Sequence, residues 1–349
     1  VTQIHYPALD IPRPYGLFIA DIRDRLDAKT ALGLLEWRPD WCAAQFRFSN
    51  DHLDLGLPDL DFAAAAAAGI KTVVVGGAPF GGRLPPEWIA ALAEALRAGL
   101  NVASGLHDRL HDNELLRKLA AEHGGQLFDI RGSRGLTLPV ATGRRRRGKR
   151  VLTVGLDCAI GKKFTALMLE RQMIARGINA TFRASGQTGI LISGGGIAID
   201  SVVADFIAGA AELLSPDNVP DHWDVIEGQG SLFHPAYAGV SLGLLHGSQP
   251  DAIILCHEAA RMHVDGYPDF PLVDIQTGIA QHLELARLTN PDVRCAGISL
   301  QLSQLPKADH AAALAAMEDR TGLPCVDPAI TGTDRLIDFL LADSGSQRG

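Results

Sequence analysis

The chain has 349 residues, 47% hydrophobic and 21% charged, with a formal net charge of −8. That length exceeds the ~250 to 300 residues at which a single core stops growing, so two domains are expected. The acidic balance excludes a general nucleic-acid binder, which needs a basic face to displace counterions, and no apolar run approaches the ~20 residues that span a bilayer.

The opening segment VTQIHYPALDIPRP has neither the basic start nor the apolar stretch of a signal peptide, so a cytoplasmic location is expected. Apolar runs then alternate with helical patterns, the signature of βα units around a largely parallel sheet, and the fold class is α/β. Strands are expected at Leu17 to Ala20, Cys42 to Phe48, Thr72 to Gly76, Asn101 to Ser104 and Gln126 to Asp129. Helices fill the intervals, among them an alanine-rich one at Ala63 to Ala68 and longer ones at Pro86 to Ala98 and Asn113 to His123. A basic run, Arg144 to Arg147 with Lys149 and Arg150, reads as too polar to be buried and marks an interdomain linker. The alternative is that it attracts the phosphates of a cofactor bound nearby. Domains are therefore expected over residues 1–140 and 150–349.

In the second domain, strands are expected at Val151 to Gly155, Ala180 to Ala184, Asp224 to Glu227, Ala252 to Cys256, Cys295 to Leu300 and Pro324 to Val326. A helix should run from Lys162 to Arg176 and stop at Gly177, where a left-handed cap is available. Gly194 to Gly196, before a helix starting near Ala198, either close over a ligand or permit a tight turn. Cys42, Cys158, Cys256, Cys295 and Cys325 are odd in number and form no C-x-x-C pair, so they read as reduced thiols.

The segment Gly155-Leu-Asp-Cys-Ala-Ile-Gly161-Lys162-Lys163-Phe-Thr165 sits between an apolar strand and an amphipathic helix, the context that a phosphate loop requires. Successive backbone N–H groups and the positive helix end face one point, and Lys162 adds a mobile cation. Gly155, Asp157, Cys158, Ala159, Ile160, Gly161, Lys162, Lys163 and Thr165 are thus the expected cofactor-binding set. Five residues separate Gly155 from Gly161, one more than in the usual P-loop. In this the loop resembles that of dethiobiotin synthetase and related enzymes, with Asp157, Gly161 and Lys162 on matching positions. The residue after Lys162 is Lys163, so the hydroxyl that normally ligates Mg²⁺ is missing, and Thr165 points elsewhere on the helix. Cys158 is also weighed as an acyl-carrying nucleophile, but no basic partner for it is visible in the sequence.

Glu227-Gly-Gln229-Gly-Ser231-Leu-Phe-His234 follows another apolar strand, and the carboxyl ends of such strands line the binding crevice. Glu227 and His234 are the candidate catalytic bases, unless the segment is only a Gly-rich turn capped by Ser231. Arg183, Gln187, Thr188 and Gly189 follow one strand, and His257, Glu258 and Arg261 follow another. Arg183 and Arg261 are candidates for pairing with substrate carboxylates, with Gln187, Thr188, Gly189, Gln229, Ser231 and Glu258 beside them; surface salt bridges are the alternative for either arginine. His257 beside Glu258 lacks H-E-x-x-H spacing, and no metal is assigned.

GLDCAIGKKFTA, RASGQTGILISGGGIAIDSVVADFIAGAAE, EGQGSLFHPAYAGVSLGLLHG and LCHEAAR together resemble, over nearly the whole chain, a family long catalogued as a domain of unknown function and linked to D-glutamate N-acetyltransferase of the DgcN type. The resemblance implies an N-terminal Rossmann-like α/β domain and a C-terminal P-loop NTPase-like doubly wound parallel-sheet domain. It also implies acetyl transfer from acetyl-CoA, without metal, to the amino group of D-glutamate. Acetyl-CoA brings phosphates to a P-loop and needs no Mg²⁺. An ATP- and Mg²⁺-dependent ligase of the dethiobiotin synthetase type is the alternative, and a nucleotide-sensing regulatory protein is a third reading. A homo-oligomer is expected.

Overall fold

The computed structural model describes residues 9–79, 82–131 and 136–342. Its first strands are β1 (Tyr15–Ala20), β2 (Cys42–Arg47), β3 (Thr72–Val75), β4 (Asn101–Ser104) and β5 (Leu127–Asp129), with helices α1 (Lys29–Trp37), α2 (Phe62–Ala67), α3 (Pro86–Arg97) and α4 (Glu114–His123) between them. Next come β6 (Lys149–Gly155), α5 (Lys162–Ala175), β7 (Ala180–Arg183), α6 (Gln187–Ser193), α7 (Ile207–Leu214), β8 (Trp223–Ile226), α8 (Ala238–Ser248) and β9 (Ala252–Glu258). The chain continues through β10 (His263–Val264), β11 (Tyr267–Pro271), α9 (Ile275–Arg287), β12 (Arg294–Gln301), α10 (His310–Thr321), β13 (Cys325–Val326) and α11 (Asp334–Ala342). Each strand expected from the sequence is present. The hairpin β10–β11, antiparallel, was not foreseen.

Two compact units emerge, one of residues 9–136 with Gln187–Ser201, the other of Thr137–Gly186 with residues 202–342. The first unit holds a parallel sheet in the order β2-β1-β3-β4-β5. All six residues of β1 are buried, as a strand covered on both faces requires. Phe18 meets Trp88 edge to face at 5.3 Å, and the indole N–H donates to Asp21 Oδ1 at 2.8 Å. Residues 187–201 join this unit through hydrogen bonds. Thr188 and Thr30 share a hydroxyl bond of 2.9 Å, Arg131 donates to Gln187 Oε1 at 2.9 Å and pairs with Asp200, and Leu9 N donates to Gly194 O at 2.7 Å. The helix expected near Ala198 is instead two 3₁₀ turns, Ile199–Ser201 and Ala204–Phe206, before α7.

The second unit holds a six-stranded sheet ordered β13-β12-β9-β6-β8-β7, every pairing parallel. From β6 the chain goes out to β7, returns to β8, and then crosses to β9. The reversal opens a crevice at the carboxyl end of β6, where doubly wound sheets bind ligands. Helix α5 ends as expected, with Gly177 at φ +73°.

The basic run is only partly solvated: Arg144, Arg145 and Arg147 are exposed, while Arg146 and Arg150 turn inward. Arg146 donates to Glu212 O (2.9 Å), Ser215 O (2.8 Å), Gly247 O (2.6 Å) and Ser248 O (3.0 Å), the carbonyl ends of α7 and α8. Arg150, 1% exposed, donates to Arg146 O at 2.9 Å. Orphaned carbonyls at a negative helix terminus are suitable partners for a buried guanidinium, which explains why charge run and burial coexist. Burial nevertheless pulls Arg146 down to about 10. Both guanidiniums are held inside the fold, so neither serves a cofactor phosphate.

Candidate active site

The loop between β6 and α5 is shaped by close packing. Ile160 fills the space beside Gly155, where a Cβ would sit 2.5 Å from its Cδ1. Ala159 and Gly161 are left-handed, with φ +54° and +93°. Left-handed residues within such a turn direct backbone N–H groups to one side, forming an anion-binding nest at the start of α5. Lys162, 7% exposed, extends its Nζ to Asp157 O at 2.6 Å, and burial pushes its pKa down. The segment after β8 lies over the lysine stem. A Cβ at Gly228 would come within 1.7 Å of Thr153 O and 3.1 Å of Lys162 Cδ, so only glycine fits there.

Asp157 is fully buried and accepts from Cys158 N (2.7 Å), Arg261 Nη1 (2.8 Å) and Asp265 N (2.8 Å). Arg261 also donates to Cys158 O at 3.0 Å and pairs with Glu258 at 2.6 Å. Arg261, expected beside the substrate, here links β9 to the phosphate loop. Arg183 is similarly engaged, its Nε donating to Asp224 Oδ1 at 2.7 Å, an atom that His222 also approaches at 3.3 Å. The hydroxyl of Thr165 turns inward to Gly161 O (2.9 Å) and Ser299 Oγ (2.8 Å). Lys163 is half-buried.

Glu227, immediately after β8, accepts at Oε2 from the amides of Ser185 and Gly186, both at 3.0 Å, while Ser185 Oγ donates to Glu227 O at 2.5 Å. This fixes the ends of β7 and β8 together. Gln229 is half-buried, with its Nε2 2.0 Å from where a Cβ on Gly186 would stand. Ser231 is buried and its Oγ accepts from Phe233 N at 3.2 Å, the turn-capping alternative. Gln187, Thr188 and Gly189 belong to the other compact unit, where the first two have the partners given above.

His234 is 3% exposed, and its ring lies 4.5 Å from Tyr237 and, edge on, 5.1 Å from Tyr267. Its Nδ1 accepts from Ala236 N at 3.1 Å. That bond assigns the tautomer: in the neutral ring the proton sits on Nε2, which has no hydrogen-bond partner among the described residues. Burial lowers its pKa, against the upward pull of Asp157 and Asp265, and so favours the neutral ring. In the neutral ring Nε2–H is a donor, while Nδ1 is taken up by the Ala236 amide. One ligand atom each of Asp157, Cys158 and His234 lie within 4.8 Å of one another.

Asp265, Tyr267 and Tyr237 were missed from sequence. The hairpin does carry a signal, Asp265-Gly266 between Val264 and Tyr267, the dipeptide that favours tight β-turns. No helix among the described residues is long and apolar enough to cross a membrane.

Comparison with known proteins agrees with this architecture. Residues 139–337 match a family model described as a domain of unknown function (DUF1611_C) P-loop domain, and residues 46–133 match a DUF1611_N Rossmann-like domain. The chain belongs to the DUF1611 family. It is 47% identical over 332 residues to a D-glutamate N-acetyltransferase of Tritonibacter scottomollicae, covering 95% of this chain and 99% of that one. A D-glutamate N-acetyltransferase of Pseudoalteromonas sp is 45% identical over 329 residues, with coverage of 94% and 99%. The crystal structure of a DUF1611 family protein from Anabaena variabilis superposes with a TM-score of 0.84 at 31% identity, covering 95% of this chain and 99% of that one.

Proposed function

We propose that this member of the DUF1611 family transfers an acetyl group from acetyl-CoA to the amino nitrogen of D-glutamate. The observation that carries the reading is the 47% identity, over 95% of the chain, with a relative named for that reaction. The phosphate loop supports it independently. Its nest and Lys162 suit an anionic coenzyme, while Lys163 in the metal-ligating position and the inward turn of Thr165 suit chemistry without Mg²⁺.

In this reading the loop amides and Lys162 hold coenzyme phosphates. The Nε2–H of neutral His234 meets the thioester carbonyl oxygen, where negative charge develops during attack. Glu227, held by two backbone amides, receives the proton of the substrate ammonium. Arg183 and Arg261 act through Asp224 and Asp157, fixing the strand ends and the loop, rather than through the substrate.

The test is thiol release from acetyl-CoA by the purified protein with a panel of D- and L-amino acids, each with and without ATP and Mg²⁺. Release with D-glutamate and no nucleotide is expected. Strict dependence on ATP and Mg²⁺ would replace the transferase with a ligase.

A further inference from the structure

We infer that Cys158 carries the acetyl group as a thioester between coenzyme and amino acid, with His234, from the segment after β8, beside it. The inference rests on the acetyl-transfer reading and specifies its route. Four of the five cysteines are buried in or beside sheet strands, whereas Cys158 is partly accessible, on the loop where the helix begins. Cys158 lies three residues before Gly161, the cap of α5, and near Lys162, both of which draw a thiol toward thiolate. The basic partner missing from the sequence reading is absent because the neighbour that the fold supplies is a hydrogen-bond donor. His234 comes from the segment after β8, the strand next to β6, and lies with Asp157 within 4.8 Å of Cys158. Its Nε2, on a ring 3% exposed, has no partner among the described residues.

A metal ion is the competing use of this trio, and the charges disfavour it. Asp157 already accepts from the Arg261 cation, a loop amide and Asp265 N, and the buried ammonium of Lys162 stands 2.6 Å from its carbonyl. A divalent ion would enter beside two resident cations. Those cations instead favour a developing thiolate. Burial, the largest influence, holds the Cys158 thiol above its ordinary value, with Asp157 and Asp265 adding to the rise and Lys162 and Arg261 pulling against it.

The chemistry balances in two steps. Cys158 sulfur attacks the acetyl carbonyl carbon while His234 Nε2–H donates to the carbonyl oxygen. The new S–C bond forms, the C–S bond to coenzyme A breaks, and the proton from Cys158 leaves on the coenzyme thiol. The amine of the acceptor then attacks the enzyme thioester, the N–C bond forms, and Cys158 departs with the proton that the amine gives up. One thioester is exchanged for another in the first step, so that step is reversible and needs no amino acid.

The experiment incubates the wild-type protein with acetyl-CoA alone and follows intact mass, the site of modification, and exchange of labelled coenzyme A into acetyl-CoA. The expected result is one hydroxylamine-labile acetyl group on Cys158 and rapid exchange. Cys158→Ala should lose both and fall by at least ~10³ in turnover, the order expected of a missing nucleophile, while still binding coenzyme A by calorimetry. Cys158→Ser, which keeps the packing, should also lose exchange. Turnover of Cys158→Ala within a few-fold of wild type would overturn the acyl-enzyme and leave the transferase reading intact. Acetylation of Cys158 without transfer to D-glutamate would sustain the carrier and overturn the acceptor. Neither acetylation nor transfer would overturn both.

Discussion

At the carboxyl ends of the first sheet, Gly76 and Gly77 are packed so tightly that a Cβ would stand 2.5 Å from Ala31 Cβ and 2.6 Å from the Trp88 ring. At the carboxyl ends of the second sheet, the chain places Asp157, Lys162, Glu227 and Glu258, all buried and all titratable. Both sheets are parallel and both are wound with helices, and both carry paired charge near their strand ends, but the first keeps its pairs, such as Arg47 with Asp59 and Arg131 with Asp200, partly exposed, whereas the second buries its charged residues. Buried charge is costly unless paired, so its concentration at one end of one sheet marks where the fold maintains a reactive surface.

The largest expected effect on this contrast is catalytic. Glu227→Gln keeps an acceptor for the Ser185 and Gly186 amides but removes the base, and kcat/KM should fall by about 10² to 10⁴ with little change in melting temperature. Arg261→Met should come next, because it leaves Asp157 buried without its cation. A loss of about 3–5 kcal/mol in urea unfolding is expected, toward the lower end because the guanidinium is partly exposed. The counterpart in the first unit, Arg23→Ala, removes an ion pair whose two side chains are 65% and 58% exposed, and should leave the unfolding midpoint unchanged.

Acid should distinguish the second unit further. His257 and His282 are pushed down to about 4 by burial, from an ordinary 6.5. Between those values the unfolded chain binds protons that the folded chain does not, so stability rises with pH through that window and is progressively lost as pH falls from 6.5 toward about 4. His282→Gln should flatten that slope in unfolding measured across pH, and an unchanged slope would remove this histidine from the account. Thr165→Val is the smallest of the informative changes. Losing the bonds to Gly161 O and Ser299 Oγ should cost about 1–3 kcal/mol of stability while coenzyme affinity stays the same.

The sheets and the phosphate loop were legible because their signals are local: apolar runs between turns, and a glycine and lysine between a strand and a helix. What escaped was set by partners distant in the chain. Arg261 meets Asp157 across 104 residues and Arg146 meets Ser248 across 102, pairings that no local spacing announces. The Nε2–H tautomer of His234 depends on one backbone amide two residues away, below the resolution of any spacing rule. The grouping of Gln187 to Ser201 with the first unit is invisible in a chain that runs without a break from β7 into α6.

The most direct measurement is a crystal structure with coenzyme A. Phosphate oxygens are expected within hydrogen-bond reach of the amides at the start of α5, with Lys162 Nζ swung from Asp157 O toward them. Coenzyme bound with its phosphates elsewhere, and Lys162 still on Asp157 O, would contradict this.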